Sequence, residues 1–197
     1  MQEIRIADEA DIEPAVQTLV KAFEHYPVTR QTISADGYVD RLARYHRLFL
    51  TRIGLAHGRV WVAADHSAVA IWTTPATPPD LFASLAAEFT EISGDRAQVA
   101  ATYERAMGLF RPREPVWFLG VVGVDPARQG QGLGRAVITP GLQAADADGV
   151  PAFLETQDPA NVPFYESLGF DVLAELDLPD NGPKHWAMHR PRATAHL

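Results

Sequence analysis

The chain has no cysteine among its 197 residues. That excludes disulfides, thiolate metal sites and any route through a cysteine acyl-enzyme. Positive charge is also scarce: 17 Lys and Arg stand against 25 Asp and Glu, a formal net charge of -8. A surface of that sign repels a phosphate backbone, so no nucleic-acid partner is expected, while a cationic partner such as an amine is tolerated. No apolar run approaches the ~18 residues that a membrane span needs. Met1-Gln2-Glu3-Ile4-Arg5-Ile6 lacks the basic start and apolar block of a secretory signal. A cytoplasmic protein without a membrane partner is expected. The histidines, His25 and His57 among them, show no metal-ligand spacing, and no metal is expected.

What is present suits one domain over residues 1–197, undivided by repeat, low-complexity tract or linker. Ile4-Arg5-Ile6-Ala7 starts a strand. Asp8 can cap a helix whose apolar face is Ile12, Val16, Leu19, Val20 and Phe23, ending near His25-Tyr26-Pro27. A second helix is expected over about 35–53, with Val39, Leu42, Tyr45, Leu48 and Phe49 as its stripe. Residues 59–64 and 68–74 read as strands turning at Asp65-His66-Ser67.

Pro75, Pro78 and Pro79 then break the strand rhythm. Residues of about 76–113 read as a helical insertion over one end of the sheet, with helices at 81–92 and 96–110, serving as lid, substrate wall or plain packing. After it come a strand at 116–124, a helix of about 132–148 that Pro140 should kink, and a strand at 151–156. A short helix at 161–168 and two strands at about 170–178 and 184–190 close the chain. The four tryptophans fall on strands, where core packing is the default, although Trp72 near the mouth is a candidate to stack on an acceptor.

Between the strand at 116–124 and its helix lies Asp125-Pro126-Ala127-Arg128-Gln129-Gly130-Gln131-Gly132-Leu133-Gly134-Arg135. Alternating glycines ahead of a helix let backbone N–H groups crowd toward an anion at the helix N-terminus. A P-loop needs Gly-Lys-Ser/Thr, and neither lysine nor hydroxyl follows Gly134, so that reading fails. A dinucleotide loop is harder to exclude, with Glu155 placed to pose as the ribose acid. Its third glycine falls one place early, however, and Asp125 to Gln129 separate strand from loop. The motif also follows a hairpin, where such a loop would open the chain.

The third reading is acyl-CoA. Gln129-x-x-Gly132-x-Gly134 behind the strand Val121–Val124, with Asn161-Val162-Pro163-Phe164-Tyr165-Glu166-Ser167-Leu168-Gly169-Phe170 downstream, resembles the paired motifs of the GCN5-related N-acetyltransferase (GNAT) family. Within that family the likeness runs to the puromycin N-acetyltransferases, through Tyr26-Pro27-Val28-Thr29-Arg30, Trp72-Thr73-Thr74-Pro75 and Glu114-Pro115-Val116-Trp117-Phe118-Leu119. Two departures stand out. Gly120-Val121 replaces an expected Ala-Thr, losing a hydroxyl near the acceptor, and Gln157-Asp158-Pro159-Ala160 lacks a basic residue expected at CoA.

The resemblance implies an α+β fold of three layers. A mixed, mostly antiparallel central sheet is splayed between its fourth and fifth strands, with helices on both faces. It implies acetyl transfer from acetyl-CoA to the primary amine of a small molecule, puromycin or a similar aminoacyl-nucleoside, as resistance or detoxification. Another small amine, a peptide N-terminus, or a CoA sensor without turnover are the rivals. Backbone amides of Gln129, Gly130, Gln131, Gly132, Leu133 and Gly134 would hold the pyrophosphate, with side chains of Arg128, Gln129 and Arg135. Val122, Gly123 and Val124 would flank the pantetheine, Val122 offering an N–H to the acetyl carbonyl, with Asn161 and Phe164 adding contacts. Tyr165 would protonate the leaving thiol, whose free pKa is near ~8.5. Glu155, directly or through water, or Tyr26 would serve at the acceptor amine.

Overall fold

Alternation across the pleat puts Val60, Val62, Val69 and Ile71 on one face of a hairpin and Trp61, Ala63, Ala70 and Trp72 on the other. Both faces are buried, so each needs a helical layer. The computed structural model, which describes residues 2–193, supplies both. Strands β1 (Ile4–Ile6), β2 (Arg59–Ala63), β3 (Ala68–Thr73), β4 (Trp117–Val124), β5 (Ala152–Thr156), β6 (Asp171–Asp177) and β7 (Lys184–Arg190) form one sheet ordered β1-β2-β3-β4-β5-β7-β6. Among the described residues, the pairing is antiparallel everywhere except between β4 and β5. That parallel seam joins Trp117–Leu119 to Ala152–Leu154 and stops. Beyond it the two strands part, as expected.

Helices α1 (Ile12–Phe23), α2 (Pro27–Thr32) and α3 (Tyr38–Leu48), with a π-helical stretch Phe49–Leu55, lie on the Val60–Ile71 face. Helices α4 (Leu81–Ser84), α5 (Ala86–Ser93) and α6 (Ala97–Gly108) form an outer wall, α5 packing on α3 and α6 on α2. The opposite face is covered by α7 (Leu133–Asp148) and α8 (Asn161–Glu166).

Local chemistry explains where elements start and where the expectation slips. Asp8 caps the turn into α1 by accepting the Ala10 N–H at 2.8 Å, as its side chain suggests. Pro27, read as a stop, instead starts α2 at a position where its missing N–H costs nothing. The second helix begins only at Tyr38, and its buried row is Tyr38, Leu42 and His46, spaced by four. Val39 therefore faces outward and is 50% exposed. In β4 the register with β3 slips between Ile71 and Trp72, so Gly120 is an extra residue and the strand bulges there.

Pro140 does not interrupt α7, which runs on through it. The next residue is the tight point. A Cβ on Gly141 would lie 2.3 Å from Trp72 Cε2, so the helix can seat on the indole only with hydrogen there. Gly141→Ala is expected to destabilise the protein by about 1–3 kcal/mol through overpacking, despite alanine's better helix propensity. Denaturant titration should show a lower midpoint at unchanged slope.

Candidate active site

Where β4 leaves β5, its backbone has one open flank. The Asp125 N–H donates to the Ser67 carbonyl on the β3 side at 2.8 Å. Alternation along an antiparallel ladder then turns the N–H groups of Gly123 and Val121 to β3 as well, and leaves those of Val122 and Val124 facing the gap. Val122 and Val124 are thus placed for an extended ligand chain. Gly123 is not: its amide serves β3, and a Cβ there would meet Leu19 of α1 at 2.8 Å. Its glycine serves helix packing.

The gap continues into a cavity of about 550 Å³ on the α1–α3 side. Phe23, Tyr45, Phe49, Phe82, Phe89 and Phe118 give it an aromatic lining, and Ala97, Ala100 and Ala101 of α6 form its outer wall. Trp72 is not part of it. That side chain is fully buried on the other face against α7, because its parity on β3 points there.

Past Val124, Asp125 accepts the Ala127 N–H at 3.0 Å and starts a short turn at Pro126–Arg128. Gly130 and Gly132 then take φ of 74 and 77, left-handed values that suit glycine. Gly132 is the N-cap of α7 and offers no side chain to its first amides. The first of these to find a protein acceptor is Ala136, on the Gly132 carbonyl at 3.0 Å. Among the described residues, the N–H groups from Gln129 to Arg135 have none. A run of free donors ahead of a helix dipole fits the diphosphate of a coenzyme A molecule.

The side chains of the loop are more committed. Arg128 reaches Asp65 at 3.0 Å and Gln131 at 3.3 Å, and Arg135 reaches the Ser167 hydroxyl at 2.7 Å. Gln129 lines the cavity with its Nε2 3.5 Å from the Val124 carbonyl. Leu133 buries its side chain in the core and has only its N–H to offer. Phe164 packs on Gly134 and Tyr165.

Tyr165 lines the cavity, with its ring packed against Phe164 and Phe170 and its hydroxyl unpartnered among the described residues. Burial raises its pKa, so it stays protonated. Nearby, Thr156 Oγ1 lies 3.1 Å from the Tyr26 hydroxyl and accepts from Asn161 Nδ2 at 3.1 Å. The Tyr26 hydroxyl also accepts the Gln157 N–H at 2.8 Å. Burial pushes its pKa up too, which disfavours a tyrosinate base.

Glu155 is the residue whose surroundings differ most from expectation. Both its oxygens accept from Arg111, each at 2.9 Å, and Arg111 also binds Glu104 of α6. Burial opposes the Arg111 charge, but hydrogen bonds and charge from Glu155 and Glu104 overcome it and raise the pKa. The carboxylate therefore sits in a bidentate ion pair. Nothing local in the sequence joins Arg111 to a partner 44 residues away.

Gln157 and His185 form a buried polar pair that no local signal announces. Gln157 Nε2 lies 2.7 Å from His185 Nδ1, and burial holds His185 down to about 4 and His46 to about 3, so both rings are neutral. Among the described residues, no cluster of three or more His, Cys, Asp or Glu could hold a metal, and no helix is long and apolar enough to cross a membrane.

Residues 79–170 match the Acetyltransferase (GNAT) family. The mycothiol acetyltransferase of Thermomonospora curvata is 40% identical over 75 residues, 36% of this chain and 25% of that one. That of Acidothermus cellulolyticus is 35% identical over 102 residues, 48% and 30% of the two chains. The chain thus spans less than a third of the length of these curated relatives. A Corynebacterium glutamicum structure, described as histone acetyltransferase HPA2 and related acetyltransferase, aligns over 100% of both chains with a TM-score of 0.75 at 24% identity. Arylalkylamine N-acetyltransferase 2 from Aedes aegypti aligns over 97% of this chain and 99% of its own, with a TM-score of 0.64 at 12% identity. At such identities the likeness is one of fold. The likeness to puromycin N-acetyltransferases finds no support among these relatives, whose curated names are mycothiol acetyltransferase. Residues 79–170 are thus similar to the Acetyltransferase (GNAT) family, and the whole chain shares the fold of solved acetyltransferases.

Proposed function

We propose that the protein transfers an acetyl group from acetyl-CoA to the primary amine of a small molecule with an apolar body. One conjunction carries the reading: free amides from Gln129 to Arg135 and the open flank of β4 meet at one end of an aromatic-lined cavity. Acetyl-CoA would supply the activated thioester. The amides from Gln129 to Gly134 hold its diphosphate, and Val122 and Val124 pair with the pantetheine as a neighbouring strand would. The Val122 N–H faces the acetyl carbonyl and stabilises the negative charge that grows there, a donor worth ~2.7–4 kcal/mol. Tyr165 gives its proton to the departing sulfur.

The proton on the amine leaves to water. Glu155 spends its oxygens on Arg111, and Tyr26 is a poor base. The α-amine of an aminoacyl acceptor, with a pKa near ~7.7–8, is part neutral already, and a simple alkylamine reacts through its smaller neutral fraction. Glu155, Tyr26 and Asn161 then act as walls that orient the acceptor and the thioester arm. Puromycin or a similar aminoacyl-nucleoside is one acceptor of the proposed class, resting on resemblance alone. A second reading, favoured by the names of the curated relatives, gives this chain the acceptor of the mycothiol acetyltransferases. The apolar lining of the cavity argues for the first class.

Thiol release from acetyl-CoA tests the first reading, with phenethylamine and puromycin as apolar acceptors and glucosamine as a polar one. Phenethylamine is expected to exceed glucosamine by ~10-fold or more in kcat/KM, as an apolar pocket dictates. Binding of acetyl-CoA with no thiol released by any amine would leave a sensor rather than an enzyme.

A further inference from the structure

We infer that Glu104 sets the acceptor class of this site by masking Arg111, so that amines bearing a carboxylate are excluded. The inference rests on the acetyl-transfer reading for its amine, and on the cavity's charges for its selectivity. Among the described lining residues Arg111 is the sole Lys or Arg, against the acids Glu104, Glu155 and Asp158. An acid-bearing ligand entering the cavity has one cation to meet. Four of the five N–H groups of that cation are committed to carboxylates. Its Nε and Nη2 donate to Glu155 at 2.9 Å, while Nη1 and Nη2 also reach the two oxygens of Glu104, Nη2 at 3.1 Å.

The two carboxylates are not equivalent. Glu155 stands on β5 with a side chain 10% exposed, and is part of the sheet. Glu104 stands on α6 with a side chain 57% exposed, at the outer edge. The outer ion pair is the weak, exchangeable one, since solvent screens it. Its charge still matters to a ligand. A carboxylate approaching the free edge of the Arg111 fork meets Glu104 already seated there, and like charges at that distance repel. With Glu104 neutral, the same edge becomes a vacant bidentate receptor. The Phe118 ring, 6.0 Å from the guanidinium carbon, offers an apolar floor beside it.

The test compares wild type with Glu104→Gln on three ligands. Phenethylamine and phenylalanine differ by a carboxylate, and hydrocinnamate has the carboxylate without the amine. Wild type is expected to prefer phenethylamine over phenylalanine by ~100-fold in kcat/KM. Glu104→Gln should narrow that ratio by ~10-fold or more, mainly through a lower KM for phenylalanine, as a charge-assisted fork would give. Calorimetry should show hydrocinnamate binding the variant ~10-fold more tightly than wild type. Glu104→Asp, which keeps the charge, should behave as wild type in both. An unchanged ratio, or unchanged hydrocinnamate binding in a variant of normal melting temperature, overturns the inference. If no amine releases thiol with either protein, the transfer reading falls, and the hydrocinnamate measurement alone decides whether Glu104 masks Arg111.

Discussion

Tyr165→Phe is expected to lower kcat by about 10²–10³-fold, the range of a positioned general acid. The substitution removes one oxygen and leaves the ring. The contacts with Phe164 and Phe170 stay, so the fold should melt near the wild-type temperature. The hydroxyl makes no hydrogen bond to protein among the described residues, so no buried partner is orphaned by its loss. Acetyl-CoA affinity should therefore change little, because the amides proposed to hold the diphosphate lie on a different segment. Steady-state kinetics with calorimetric acetyl-CoA binding separate the two effects. A kcat within twofold of wild type would remove Tyr165 as the acid. Since burial raises its pKa, Tyr165 should add no acidic or neutral limb to the pH profile of kcat.

The largest stability effect is expected at Asp11→Ala. Asp11 is 2% exposed and is the hub that ties the first strand to the first helix. It accepts two hydrogen bonds from Arg5, at 2.6 and 2.7 Å, and the Asp8 N–H at 2.8 Å, and lies 2.7 Å from His66 Nε2. Removing it strands three donors at once, which costs about 3 kcal/mol even with Arg5 partly solvated. The same hub makes stability depend on pH. The Arg5 hydrogen bonds, against the cost of burial, hold the Asp11 pKa well below its usual value. A carboxylate so depressed contributes fully above its unfolded pKa, and that contribution is lost as pH falls below about 4. Urea titrations of wild type and variant between pH 3 and 7 should show curves that converge at the acid end. Parallel curves would mean Asp11 acts by packing alone.

The fold and the site were legible to different depths, and for physical reasons. Strands β2 and β3, the glycine loop and the α7 stripe announce themselves because their signals are local: alternation, positive-φ residues, a helical period. The run of free amides from Gln129 to Arg135 was also open to sequence reading, because backbone donors depend on spacing rather than on distant partners. What stayed hidden is what two far segments decide together. Glu155 reads as a free strand-end acid until Arg111 folds across it. Tyr26 reads as a helix terminus until Thr156 and Gln157 arrive, 130 and 131 residues later. The bulge at Gly120 exchanges the faces of β4, which no strict alternation foresees. Trp72 packs in the core, the default for a strand tryptophan, and its candidate role at the acceptor falls because sequence does not say which side of a doubly buried strand faces the cavity.

The seam between β4 and β5 has a mechanical consequence. With rungs at Trp117 to Leu119 alone, the four-strand and three-strand leaves are bound like pages along a short stretch of spine. A ligand chain paired with Val122 and Val124 as proposed would supply the stitching that the polypeptide omits. Filling the gap and stiffening the book are then a single event.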